Sequence, residues 1–70
     1  MKASDFDKLE VITQELLLAD KTNPDKTPVR ARVFRDTKSG HAYQVDFRNR
    51  EYREASHVLG NYSDWKKLTE

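Results

Sequence analysis

Few residues in this chain have types that could do chemistry. Asp36, Ser39 and His41 crowd one short stretch and carry the carboxylate, hydroxyl and imidazole of a nucleophilic triad. A triad works only when it is held in a supported pocket beside an oxyanion site. The flanking residues predict an exposed hairpin tip, so the three are read as turn residues. His41 and His57 are the only histidines, and they lack the i, i+4 spacing that puts two metal ligands on one helical face. Without cysteine there is no thiolate cluster and no disulfide. Two glycines in the whole chain leave no loop to cradle a phosphate. Carboxylates lie among cations at pairing distance, as Arg50 and Glu54 do on a helix. The residues thus predict no catalytic, cofactor-binding or metal site, and a protein that is not an enzyme.

Arginine is the more informative signal. A net charge of +1 hides a segregated distribution. Residues 1–26 hold four lysines and six acidic residues, residues 27–53 seven cations and three acidic residues, and residues 54–70 two cations and three acidic residues. Six of the seven central cations are arginines. The planar guanidinium fork suits carboxylate and phosphate and is less strongly hydrated than an ammonium, so it suits a contact surface. Arg30, Arg32, Arg35, Lys38, Arg48 and Arg50, with Phe34 as an apolar anchor among them, form the candidate surface for a partner or a nucleic acid.

The element that must position them spans Val29 to Phe47. Val29, Ala31 and Val33 alternate with Arg30 and Arg32, and Tyr43, Val45 and Phe47 alternate with Gln44 and Asp46, the period of a strand with one apolar face. Asp36 to Gly40 supplies the turn: Asp36 and Ser39 can bond nearby backbone amides, and Gly40 can adopt positive φ. The expected hairpin puts Val33, Tyr43, Val45 and Phe47 on the inner face. Its outer face carries Arg30, Arg32, Phe34, Ala42, Gln44 and Asp46.

On either side the patterns predict helix. Ser4 and Asp7 have capping-box spacing. Phe6, Leu9, Ile12, Leu16 and Leu17 then recur at three- and four-residue steps, predicting a helix over about 5–20. Val11 and Leu18 fall on its far side, a possible second contact surface for a homodimer or a partner protein. Residues 21–28, with Pro24 and Pro28, read as a loop. Asn49 suits the cap of a second helix bearing Tyr52, Ala55, Val58 and Leu59 and broken or continuous near Gly60. Tyr62 and Trp65 would then cover the hairpin, since an isolated hairpin is marginal in water.

The resulting expectation is one small α+β domain over residues 1–70, ordered helix, antiparallel hairpin, helix. No run reaches the roughly 20 apolar residues of a membrane span, and the N-terminus lacks a signal-peptide core. Both fit a soluble protein of the cytoplasm, the host's if the chain is virus-encoded. Fold order alone assigns no function. The favoured reading is a small binding or regulatory protein that engages a protein partner through the arginine-bearing face, since interfaces favour arginine and aromatic residues. The alternative is a nucleic-acid binder that uses the same hairpin as a β-ribbon, with Asp46 on that face repelling phosphate.

Overall fold

The computed structural model describes residues 1–69. A short 3-10 helix at Ala3–Lys8 leads into strands β1 (Glu10–Thr22), β2 (Pro28–Arg35), β3 (Ala42–Asp46), β4 (Glu51–Ala55) and β5 (Lys66–Lys67). They pair antiparallel in chain order as one five-stranded sheet. Among the described residues no helix is long and apolar enough to cross a membrane.

The hairpin is present, and its turn is closed as its residue types require. Asp36 N–H donates to the His41 carbonyl at 2.8 Å, and Gly40 N–H donates to the Asp36 carbonyl at 2.7 Å. Gly40 sits at φ 80°, where a side chain would be strained. Lys38 N–H donates to the Asp36 carboxylate and His41 N–H to Ser39 Oγ. The Lys38 amide holds the Asp36 carboxyl below its ordinary value.

The expected faces, however, are mispaired. The turn sets Arg35 opposite Ala42, and therefore Phe34 opposite Tyr43, Val33 opposite Gln44 and Arg32 opposite Val45. Each strand alternates as expected, yet the two are joined one residue out of the expected phase, and a one-residue slip moves every side chain to the other face. Arg30 and Arg32 thus share a face with Phe34, Tyr43 and Val45, while Gln44 and Asp46 lie with Val29, Ala31 and Val33.

Both faces are consequently half apolar, and both are covered. On the first, Phe34, Tyr43, Val45 and Tyr52 pack around Phe6 from the 3-10 helix, with Met1, Leu9 and Leu68 at the margin. Phe6 is almost wholly buried, and its ring centroid lies 5.4–6.0 Å from those of Phe34, Tyr43 and Tyr52, within the range of favourable tilted and edge contacts. On the second face β1 does the covering. Its register with β2 shifts between Val11 and Thr13, Thr13 and Leu16, and Leu18 and Thr22. Bulges bend a strand and add twist. The bent strand carries Leu18 into the core and brings Asp20 and Lys21 across to β3 and β4.

These contacts overturn the helix–hairpin–helix expectation. The segment read as the first helix is the end of a short 3-10 helix followed by β1. Helix propensity is a weak prior that tertiary pairing overrides, and β2 needs a partner for its outer backbone groups. Val11, Ile12 and Thr13 are β-branched and suit a strand. Leu16 and Leu18 face Ala31 and Val29 while Leu17 points away, a period of two within an apolar run that also matches a helix. Lys2 N–H, not a Ser4 cap, is the bonded amide: it donates to the Asp5 carboxylate. The second expected helix is likewise strand and turn. Asn49 closes the turn from β3 to β4, its N–H and side-chain amide donating to Asp46. Glu54 shares a face with Tyr52 and pairs with Lys66 at 2.7 Å. Val11 and Leu18 do not form one surface: Val11 lies opposite Phe34 and is exposed, whereas Leu18 lies opposite Val29 and is buried.

Asp46 is fully buried and receives both Asn49 bonds and the Lys21 ammonium at 3.1 Å; Lys21 also pairs with Glu51 at 2.5 Å. Burial pushes the Asp46 carboxyl up, but Asn49 and Lys21 outweigh it and hold it below its ordinary value, and the Lys21 hydrogen bond lowers Glu51. Carboxyls depressed in the folded state contribute stability that is present above their unfolded values, near pH 4, and is lost as pH falls through the folded ones. Urea midpoints are expected to be flat near neutrality and to decline below about pH 4. Lys21→Met, which leaves a buried carboxylate uncompensated, should cost about 3–5 kcal/mol at pH 7. A loss under about 1 kcal/mol contradicts this role for Lys21.

Candidate functional site

The register that separates the two faces also sorts the arginines. Between the 3-10 helix and the β1–β2 pair lies an open groove of about 810 Å³, bordered by Lys2, Asp7, Glu15, Arg30, Arg32, Phe47 and Arg48 among others. β2 supplies Arg30 and Arg32 because alternate residues of a strand face the same way. Phe47 and Arg48 follow the end of β3 and begin the turn that Asp46 anchors through Asn49. Lys2 caps the helix and Asp7 lies in it, and Phe6 fixes that helix over the sheet.

Phe47 is the groove's aromatic element. It is 39% exposed, yet its ring meets those of Phe6 and Phe34 edge-on at 6.4 and 6.2 Å, so the core holds it in place. The Arg32 guanidinium lies over it at 5.7 Å from the ring centroid, a cation–π contact. Leu17, 61% exposed, sits opposite Arg30 on the neighbouring strand. Among the described residues Lys2, Arg32 and Arg48 make no ion pair, while Arg30 pairs with Glu15 at 2.5 Å in the open.

The opposite face is saturated by comparison. Arg53 donates to Gln44 at 2.6 Å and to Asp20 at 2.9 Å, and lies over the Trp65 and Tyr62 rings. Lys21 stacks on Trp65 at 3.8 Å as well as pairing with Asp46 and Glu51. Trp65 and Tyr62 therefore lie half-buried against cations, and neither joins the aromatic cluster around Phe6.

Of the expected contact residues, the structure gathers Arg30, Arg32 and Arg48. Phe34 is corrected from an exposed anchor to a core residue, because its pairing with Tyr43 turns it toward Phe6. Arg35 is held by Glu10 through Nε at 3.2 Å and Nη2 at 2.7 Å, away from the groove. Lys38 stands in the hairpin turn. Arg50 lies in the β3–β4 turn at φ 57°, with its carbonyl accepting from Leu68 N–H. Sequence reasoning missed Lys2, Phe47 and Glu15 as groove residues. The parity of the hairpin register is the signal that reveals Phe47, whereas nothing local to Lys2 foretells where the helix packs.

No group of His, Asp or Glu among the described residues converges as a metal site. No protein-family model, curated protein or solved structure matches the chain. The site's reading therefore stands on its geometry.

The two sets of arginines differ in what they do for the fold. Arg32→Ala removes an exposed side chain without an ion pair and should leave the urea midpoint within about 0.5 kcal/mol of the original. Arg53→Ala removes charged hydrogen bonds and two ring contacts and should cost about 1–3 kcal/mol. Equal losses would remove the distinction between the faces.

Proposed function

We propose that the protein is a small non-enzymatic binding module that engages a protein partner through this groove. The observation that carries the reading is the cluster of three cations, Lys2, Arg32 and Arg48, that make no ion pair among the described residues and surround a ring that the core holds half-exposed. Stability does not explain leaving these charges without an ion pair among the described residues while Lys21 and Arg53 on the opposite face are bound to carboxylates. The mixed rim favours a protein: Asp7 and Glu15 line the same groove and oppose a polyanion, while Phe47 offers apolar contact. Arginine and aromatic side chains are the residue types that carry interface energy.

A second reading, single-stranded nucleic acid, gains from one specific observation. Asp46, expected beside the arginines, lies buried on the opposite face, so that source of phosphate repulsion is gone. Arginine beside an exposed aromatic ring also suits a phosphate and a stacked base.

Peptides selected from a random display library on the immobilised protein should be rich in Asp and Glu next to an aromatic residue or leucine. They should lose roughly tenfold in affinity when Arg32 or Phe47 is replaced by alanine, a loss of about 1.4 kcal/mol. If no peptide survives selection but a single-stranded oligonucleotide binds at near-physiological salt and releases on the same substitutions, the second reading replaces the first.

A further inference from the structure

We infer that Glu15 is an internal placeholder for a carboxylate of the partner, held over Arg30 by a bulge in β1 and displaced when the groove is filled. The inference rests on the groove's being the binding surface, and names the group that one of its arginines receives.

The local backbone is built to present this side chain. Thr13 pairs with Val33 and Leu16 with Ala31, so two residues of β1, Gln14 and Glu15, oppose only Arg32, and neither has a register partner. Bulges of this kind re-aim side chains and recur next to functional sites. Thr13 fixes the geometry by bonding both backbone groups of Glu15: its hydroxyl donates to the Glu15 carbonyl at 3.0 Å and accepts from the Glu15 N–H at 3.3 Å. Gln14 and Glu15 accordingly line the groove, and the Glu15 carboxylate reaches Arg30 Nη1 at 2.5 Å.

The pair is exposed, with Arg30 at 67% and Glu15 at 55% of their free side-chain area. An ion pair so open to water is worth little, and a ligand carboxylate can replace Glu15 at small cost. Among the described residues the other groove cations, Lys2, Arg32 and Arg48, hold no such partner, so Arg30 alone of the four is blocked by a carboxylate there. Asp7 supplies an internal comparison: it carries the same charge into the same groove, yet makes no ion pair among the described residues.

The test is fluorescence anisotropy of a labelled oligoglutamate peptide titrated with the wild type, Glu15→Gln, Asp7→Asn and Arg30→Ala at low salt. Glu15→Gln should bind about two- to fivefold tighter than the wild type, Asp7→Asn should gain distinctly less, and combining Glu15→Gln with Arg30→Ala should abolish the gain. Equal gains in Glu15→Gln and Asp7→Asn would reduce the effect to net charge and overturn the placeholder. So would an unchanged or weaker Glu15→Gln, or no binding by any of the proteins. The groove itself is judged separately, by whether library-selected peptides depend on Arg32 and Phe47.

Discussion

The turn from Asp36 to His41 decides which side chains share a face of the sheet, and the rest of the molecule follows from that phase. With Arg35 opposite Ala42, Phe34 is driven inward beside Tyr43, and the aromatic cluster around Phe6 has its floor. The same phase puts Asp46 on the other side, where it can stay charged only with a cation beside it, since an isolated buried charge is far too costly. Lys21 supplies it, and β1 must bend across the sheet to bring it there. The bulges of β1 are thus the counterpart of the hairpin phase.

A 70-residue chain buries only about 60% of the surface its unfolded form exposes. Covering both faces of one sheet with a helical turn and a bent strand enlarges what can be buried. The outcome is an asymmetric charge distribution. Cations on the β1-covered face are bound to carboxylates and aromatic rings, and they hold the structure together. On the helix-covered face Lys2, Arg32 and Arg48 border an open groove and, among the described residues, make no ion pair. Charge pairing that orders the fold is concentrated on one side, and Lys2, Arg32 and Arg48 on the other stay exposed.

Much of the hairpin was legible in the sequence, for physical reasons. The period of two, the carboxylate and hydroxyl of Asp36 and Ser39, and Gly40 each encode local geometry, and local geometry is what a single sequence carries. The phase between the strands was not legible, because it depends on how many turn residues pair, and the apolar alternation of each strand fits either phase. β1 was misread because three consecutive leucines satisfy a helical stripe and a strand alternation equally well. What selects the strand is the unpaired edge of β2, a distant partner. The candidate site was legible to the same degree: Arg30, Arg32 and Arg48 came from composition and alternation, whereas Phe47 as their neighbour and Phe34 as core both follow from the phase. Lys2 and Glu15 enter through the packing of the helix and the bulge at Thr13.

The most direct test of this account is the hairpin phase itself, read from side-chain nuclear Overhauser contacts in uniformly labelled protein. The account predicts cross-strand contacts of Phe34 with Tyr43, Arg32 with Val45 and Val33 with Gln44, together with ring contacts from Phe6 to Phe34 and Tyr43. Cross-strand contacts of Val33 with Tyr43, or of Arg32 with Gln44, would place the arginines with Asp46 and dissolve the groove.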